Sequence, residues 1–97
     1  MTHRFSRAAE LEMLQAALWY EAQRPGLGVE FAHEVDAGIK AILDAPERWA
    51  EVDPGVRKYR VSRFPYGLFY RIDRNEVEIV AVADLRRRPG YWRNRQP

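Results

Sequence analysis

The chain has 97 residues, 46% of them apolar and 12% aromatic, enough to bury one core and too few for two. It contains no cysteine, which excludes disulfides, thiolate metal sites and cysteine nucleophiles. Net charge is +2, but residues 1–50 carry 5 basic and 8 acidic side chains (−3) while residues 51–97 carry 11 and 6 (+5), so positive charge gathers late in the chain.

The opening residues lead into a polar segment and not an apolar leader, and no apolar run approaches a membrane span; a cytoplasmic protein without membrane association is expected. Residues 2–5 suit a short edge strand. Ser6 then suits the N-cap of a helix reaching about Gln23, with Leu11, Leu14 and Leu18 as its buried stripe, extended by Ala8 and Ala22. Arg24-Pro25-Gly26-Leu27-Gly28 must turn, its glycines supplying positive φ and close helix approach. A second helix follows, with Phe31, Val35, Ile39 and Ile42 at helical spacing, ending before Pro46. The two helices predict an antiparallel hairpin over about residues 6–45.

Residues 45–56 hold three turn features, and from there the period becomes two. Strands are expected over 57–63, 67–72 and 77–83. In the last, Val77, Ile79, Ala81 and Ala83 share one face with Val80 and Val82 opposite, so it should be central and covered on both sides. Helices grouped ahead of strands indicate an α+β class: a helical hairpin on a three- to four-stranded antiparallel sheet spanning about 57–84, followed by a basic tail over 85–97, all within one domain of residues 1–97.

Arg86-Arg87-Arg88, Tyr91, Trp92, Arg93 and Arg95 crowd that tail. Solvated charge at a sheet end is the plain reading. Arginine interleaved with aromatics is also the composition of interfaces and nucleic-acid surfaces, and adjacent arginines repel unless a partner supplies anions. Asp84 reads as a strand-end carboxylate pairing with Arg86, or less simply as a general base. His3 and His33 have no metal-ligand spacing, so no metal or other cofactor is expected. Trp19, Tyr20 and Phe31 read as packing around the interhelical turn. Glu30, Glu34 and Asp36 read as a solvated face.

Taken together, Trp19-Tyr20-Glu21, Pro25-Gly26-Leu27-Gly28 with Phe31 and Val35, Phe64-Pro65-Tyr66-Gly67-Leu68-Phe69-Tyr70, and Ile79-Val80-Ala81-Val82-Ala83 followed by Arg86-Arg87-Arg88-Pro89-Gly90-Tyr91-Trp92 resemble the RelE/ParE superfamily of toxins, over roughly residues 5–93. The resemblance implies the toxin of a type II toxin–antitoxin pair, neutralised by a cognate antitoxin. ParE-like members of that superfamily poison DNA gyrase; RelE-like members cleave ribosome-bound mRNA. In RelE-like nucleases an arginine usually stands between the tyrosine and leucine of the hairpin strand, where this chain has Gly67, and many members have histidine where it has Asp84. Both departures favour the ParE-like branch. Its expected target contacts are Arg86, Arg87, Arg88, Tyr91, Trp92 and Arg93. The nuclease alternative would use Arg60, Arg86 and Tyr91. A third reading keeps antitoxin binding with toxicity lost, and a lone toxin can also form a homodimer.

Overall fold

A computed structural model describes residues 1–95; the last two residues of the predicted tail lie outside the described residues. The elements are β1 (Thr2–Phe5), α1 (Arg7–Gln23), α2 (Leu27–Asp44), β2 (Glu51–Asp53), β3 (Val56–Arg60), β4 (Tyr66–Asp73), β5 (Glu76–Asp84) and a 3-10 turn at Tyr91–Asn94. Ser6 caps α1 as expected: its side chain accepts from the Ala9 N–H at 3.1 Å. Gly26 takes φ +91°, and a Cβ on Gly28 would stand 2.5 Å from the Ala17 carbonyl oxygen, so both glycines serve the two expected roles.

The expected α+β class holds, with the hairpin on one sheet face, but the sheet has five strands in the order β1-β5-β4-β3-β2. It is also mixed. β1 runs parallel to β5, whereas β5, β4, β3 and β2 are successively antiparallel. The edge strand β2 escapes sequence reading because three exposed or half-buried residues beside a turn carry no period. Strand β3 stops at Arg60, short of the expected residue 63, as Val61 is buried past its end and Arg63 turns into positive φ.

Helix α2 buries Phe31, Val35, Ile39 and Ile42 as predicted. Helix α1 does not present the leucine face. Its buried residues are Ala9, Ala16 and Tyr20, with Met13 and Ala17 packed behind them, whereas Leu11, Leu14 and Leu18 are 46%, 55% and 60% exposed. Two contacts set this rotation. Close approach of Gly28 to Ala17 tolerates only small residues between the helices. Tyr20 stacks against Phe31 and Phe64 at 5.2 and 4.8 Å, in an aromatic cluster that the leucines cannot replace.

Strand β5 is covered on both faces, as expected. The alternation fails, however, because the register with β4 slips between Phe69/Tyr70: Phe69 pairs with Ala81 and Tyr70 with Ile79. Val77, Ile79 and Val82 consequently face the helices, while Val80, Ala81 and Ala83 join Val56, Phe69 and Trp92 in a second core on the far face.

Candidate target-binding groove and C-terminal tail

Strand β1 pairs with β5 only as far as Ile79, so among the described residues the β5 edge beyond it has no strand neighbour. Side chains cover that edge instead. The Ser6 N–H donates to the Ile79 carbonyl at 2.9 Å. The Val82 N–H donates to Glu12 at 3.0 Å, and Arg95 donates to the Val80 carbonyl at 3.2 Å. Unpaired backbone groups at an edge invite strand addition, and here they are occupied by α1 and the tail.

Glu12 is the point where the tail meets α1. Besides Val82, its carboxylate accepts the Tyr91 hydroxyl at 2.6 Å and both terminal nitrogens of Arg95 at 2.9 Å, a forked pair with a neutral third partner. Burial first, and then the bond to the Glu12 carboxylate, push the Tyr91 phenol well above its ordinary range. Such a tyrosine holds its proton tightly and is a poor proton donor.

Between α1, β5 and the tail runs a groove lined by Trp19, Tyr66, Asp84, Arg86, Arg87 and Tyr91, with Glu12 and Gln15 at one end. Trp19 was expected to pack inside. It is 55% exposed instead, meeting Tyr20 edge-on at 5.2 Å, because its neighbour Tyr20 takes the buried azimuth. Arg86 is held as anticipated: its Nε and Nη2 donate to the two Asp84 oxygens at 3.0 and 2.9 Å. That bond is the main reason the Asp84 carboxyl sits below its ordinary value. Tyr66 is shifted upward, mostly by burial and then by Asp84.

The tail cluster read from sequence is divided by the fold. Arg86, Arg87 and Tyr91 border the groove along α1. Arg88 and Arg93 lie over the far sheet face, where Arg93 pairs with Asp53 at 3.2 Å. Trp92 is only 5% exposed and stacks on Phe69 with ring centroids 4.6 Å apart, so it seals the second core and is not a surface contact. Small residues at Ala81 and Ala83 leave room for a large ring in that second core.

Of the residues of the nuclease alternative, Arg86 and Tyr91 border the same groove and Arg60 does not line it. Arg60 pairs with Gly67, which pairs with Ala83, placing Arg60 two strand spacings (about 10 Å) from β5. Arg86 and Tyr91 are meanwhile tied to Asp84 and Glu12 in the groove. At Gly67, where the resemblance expects arginine, a Cβ would stand 3.1 Å from Leu85 and 3.2 Å from Phe69; Leu85 occupies that space.

His33 and His3 are exposed, and no group of acidic or histidine side chains among the described residues is placed to hold a metal. The expected solvated face on α2 is partly engaged, as Arg63 pairs with Glu30 and Glu34 at 2.7 and 3.4 Å. No helix among the described residues is long and apolar enough to cross a membrane. Sequence reading missed Glu12 altogether, since a single carboxylate on a helix carries no signal until the tail is folded beside it.

The family model for the ParE toxin of the type II toxin–antitoxin system parDE matches residues 4–89. Among solved structures, the chromosomal ParDE toxin–antitoxin system from P. aeruginosa has a chain similar to this one, with a TM-score of 0.77 at 18% identity, covering 88% of this chain and 96% of that chain. At that identity the likeness concerns the fold. No curated protein matches.

Proposed function

The chain belongs to the ParE toxin family of type II toxin–antitoxin systems, and from that premise we propose that it arrests growth by binding a macromolecular target such as DNA gyrase, and that a cognate antitoxin neutralises it. The supporting observation is that α1 is apolar on two opposite faces. One is buried in the core; the other leaves Leu11, Leu14, Leu18 and Trp19 in solvent. Contiguous apolar surface of this kind marks an interaction site in a folded protein.

On this reading the antitoxin lays an amphipathic helix along the Leu11–Leu14–Leu18 stripe. The target is gripped in the adjacent groove by Arg86, Arg87, Tyr91 and Trp19, while Arg88 and Arg93, on the other side of the tail, are reached only by a target that wraps around it. Trp92 holds the tail in place from beneath. Binding is favoured over RNA cleavage because Arg60 does not line the groove that Arg86 and Tyr91 border, and both of those are tied to carboxylates of the chain itself.

Two measurements test the proposal together. Purified chain should inhibit supercoiling by gyrase and leave transcripts on translating ribosomes intact; truncated transcripts without gyrase inhibition would reverse the assignment. Co-expression with the product of the adjacent reading frame should restore growth, and Leu14→Glu/Leu18→Glu should abolish that rescue while the thermal melt stays unchanged. Rescue that survives the double substitution would remove the leucine stripe from the antitoxin interface.

A further inference from the structure

On the sheet face away from the helices lies a second concavity of about 230 Å³, on the other side of the tail from the α1 groove. Its walls are Phe69, Ala83, Leu85 and Trp92, with Val52 of β2 closing one side. Lys58 of β3 and Arg87 and Arg88 of the tail stand around it. The carboxylates nearby are already committed, Asp84 to Arg86 at 2.9 Å and Asp53 to Arg93 at 3.2 Å. Among the described residues, Lys58, Arg87 and Arg88 have no carboxylate at ion-pair distance. An apolar cavity is therefore ringed by three cations without a carboxylate in contact, of which Arg87 still feels the charge of Asp84.

We propose that this pocket docks an acidic segment of a protein partner, which seats one large apolar side chain between Val52 and Leu85 and sets its flanking carboxylates on Lys58, Arg87 and Arg88. An anchor buried in a pocket and rimmed by charge is the usual anatomy of a strong protein contact. Arginine forks receive carboxylates in two-point geometry. Arg87 borders both this pocket and the α1 groove, whereas Lys58 and Arg88 line only this pocket, and the test uses the folded chain alone, without gyrase.

Fluorescence anisotropy of the full chain with labelled acetyl-Glu-Asp-Phe-Glu-Asp-amide reads the site directly. This peptide should bind at least about tenfold more tightly than either its Phe-to-Ser counterpart or its Gln/Asn counterpart, a gap of about 1.4 kcal/mol for each. Arg88→Glu and Lys58→Glu should each weaken it by about tenfold, while Arg7→Glu, the same charge change on α1, should alter it by less than about twofold. Thermal melts establish that each variant is folded, and Arg88 is exposed enough that its change leaves the core intact. The proposal is overturned if the acidic peptide fails to bind at millimolar concentration, if the control peptides bind equally, if Arg88→Glu has no effect, or if a single-stranded oligouridylate binds more tightly than the peptide.

Discussion

Replacing Glu12 by glutamine removes one charge from the place where the tail is fastened. The carboxylate accepts four hydrogen bonds, from Val82 at 3.0 Å, from Tyr91 at 2.6 Å and from the two Arg95 nitrogens at 2.9 Å each. A glutamine keeps one oxygen, enough for Val82 and one Arg95 nitrogen. Its amide then meets the other Arg95 nitrogen donor to donor, and Tyr91 must reverse its hydroxyl. Charge-assisted bonds contribute about 1.5–3 kcal/mol against about 0.5–1.5 for neutral ones. Glu12 and Arg95 side chains are 17% and 27% exposed, so salt screens the pair only partly. The net loss should be about 2 kcal/mol, which is roughly a 30-fold rise in the opening of the tail. Native-state hydrogen exchange at Val82, Arg93 and Arg95 reads that opening, and Trp92 emission should shift red as its ring leaves Phe69. Unchanged exchange would refute the clamp. So would a cycle of Glu12→Gln with Arg95→Met whose effects add within about 0.5 kcal/mol.

Gly28→Ala should lower stability by about 1–3 kcal/mol, since the new methyl meets the Ala17 carbonyl oxygen and the Glu21 side chain and the helices must part. An unaltered urea midpoint would contradict that account of the hairpin. The Asp84–Arg86 pair predicts a pH signature. Arg86 holds the Asp84 carboxyl below its ordinary value of 3.8, so its contribution is present above that pH and disappears as pH falls through the lower folded-state value. Thermal melts of wild type and Asp84→Asn should accordingly differ at about pH 6 and converge in acid. A gap independent of pH would mean that the carboxylate charge is not what matters.

Several features were readable before any coordinates because each depends on neighbours in sequence. Ser6 caps its own helix, Gly26 needs positive φ for its own turn, and Phe31, Val35, Ile39 and Ile42 repeat at the helical period along one face of α2. The pairing of Asp84 with Arg86 spans two residues and was equally visible. Helix α1 misled because it carries two apolar stripes, and local periodicity has no term for which one is buried. The larger stripe, Leu11, Leu14 and Leu18, looked like core and lies in solvent. Only the packing of Tyr20 on Phe31 and Phe64, residues far along the chain, could decide the matter.

The candidate site divides along the same line. That Arg86, Arg87, Arg88, Tyr91, Trp92 and Arg93 lie close together was evident from their order, and their order says nothing about which side of the tail each occupies. The backbone turn at Gly90, the room left by Ala81 and Ala83, and the Glu12 anchor send Trp92 inward and set Arg86 and Arg93 on different surfaces, with Arg87 bordering both.

Sequence alone determined the α+β class, the helical hairpin and the two-sided burial of β5, because these follow from short-range period and turn chemistry, and its motifs carried the resemblance to the family. Tertiary structure alone decided the parallel pairing of β1, the bulge that exchanges the faces of β5, the outward leucines and the fate of Trp92. Each of those rests on contacts between distant segments, where the best total packing overrides what any one segment would choose by itself.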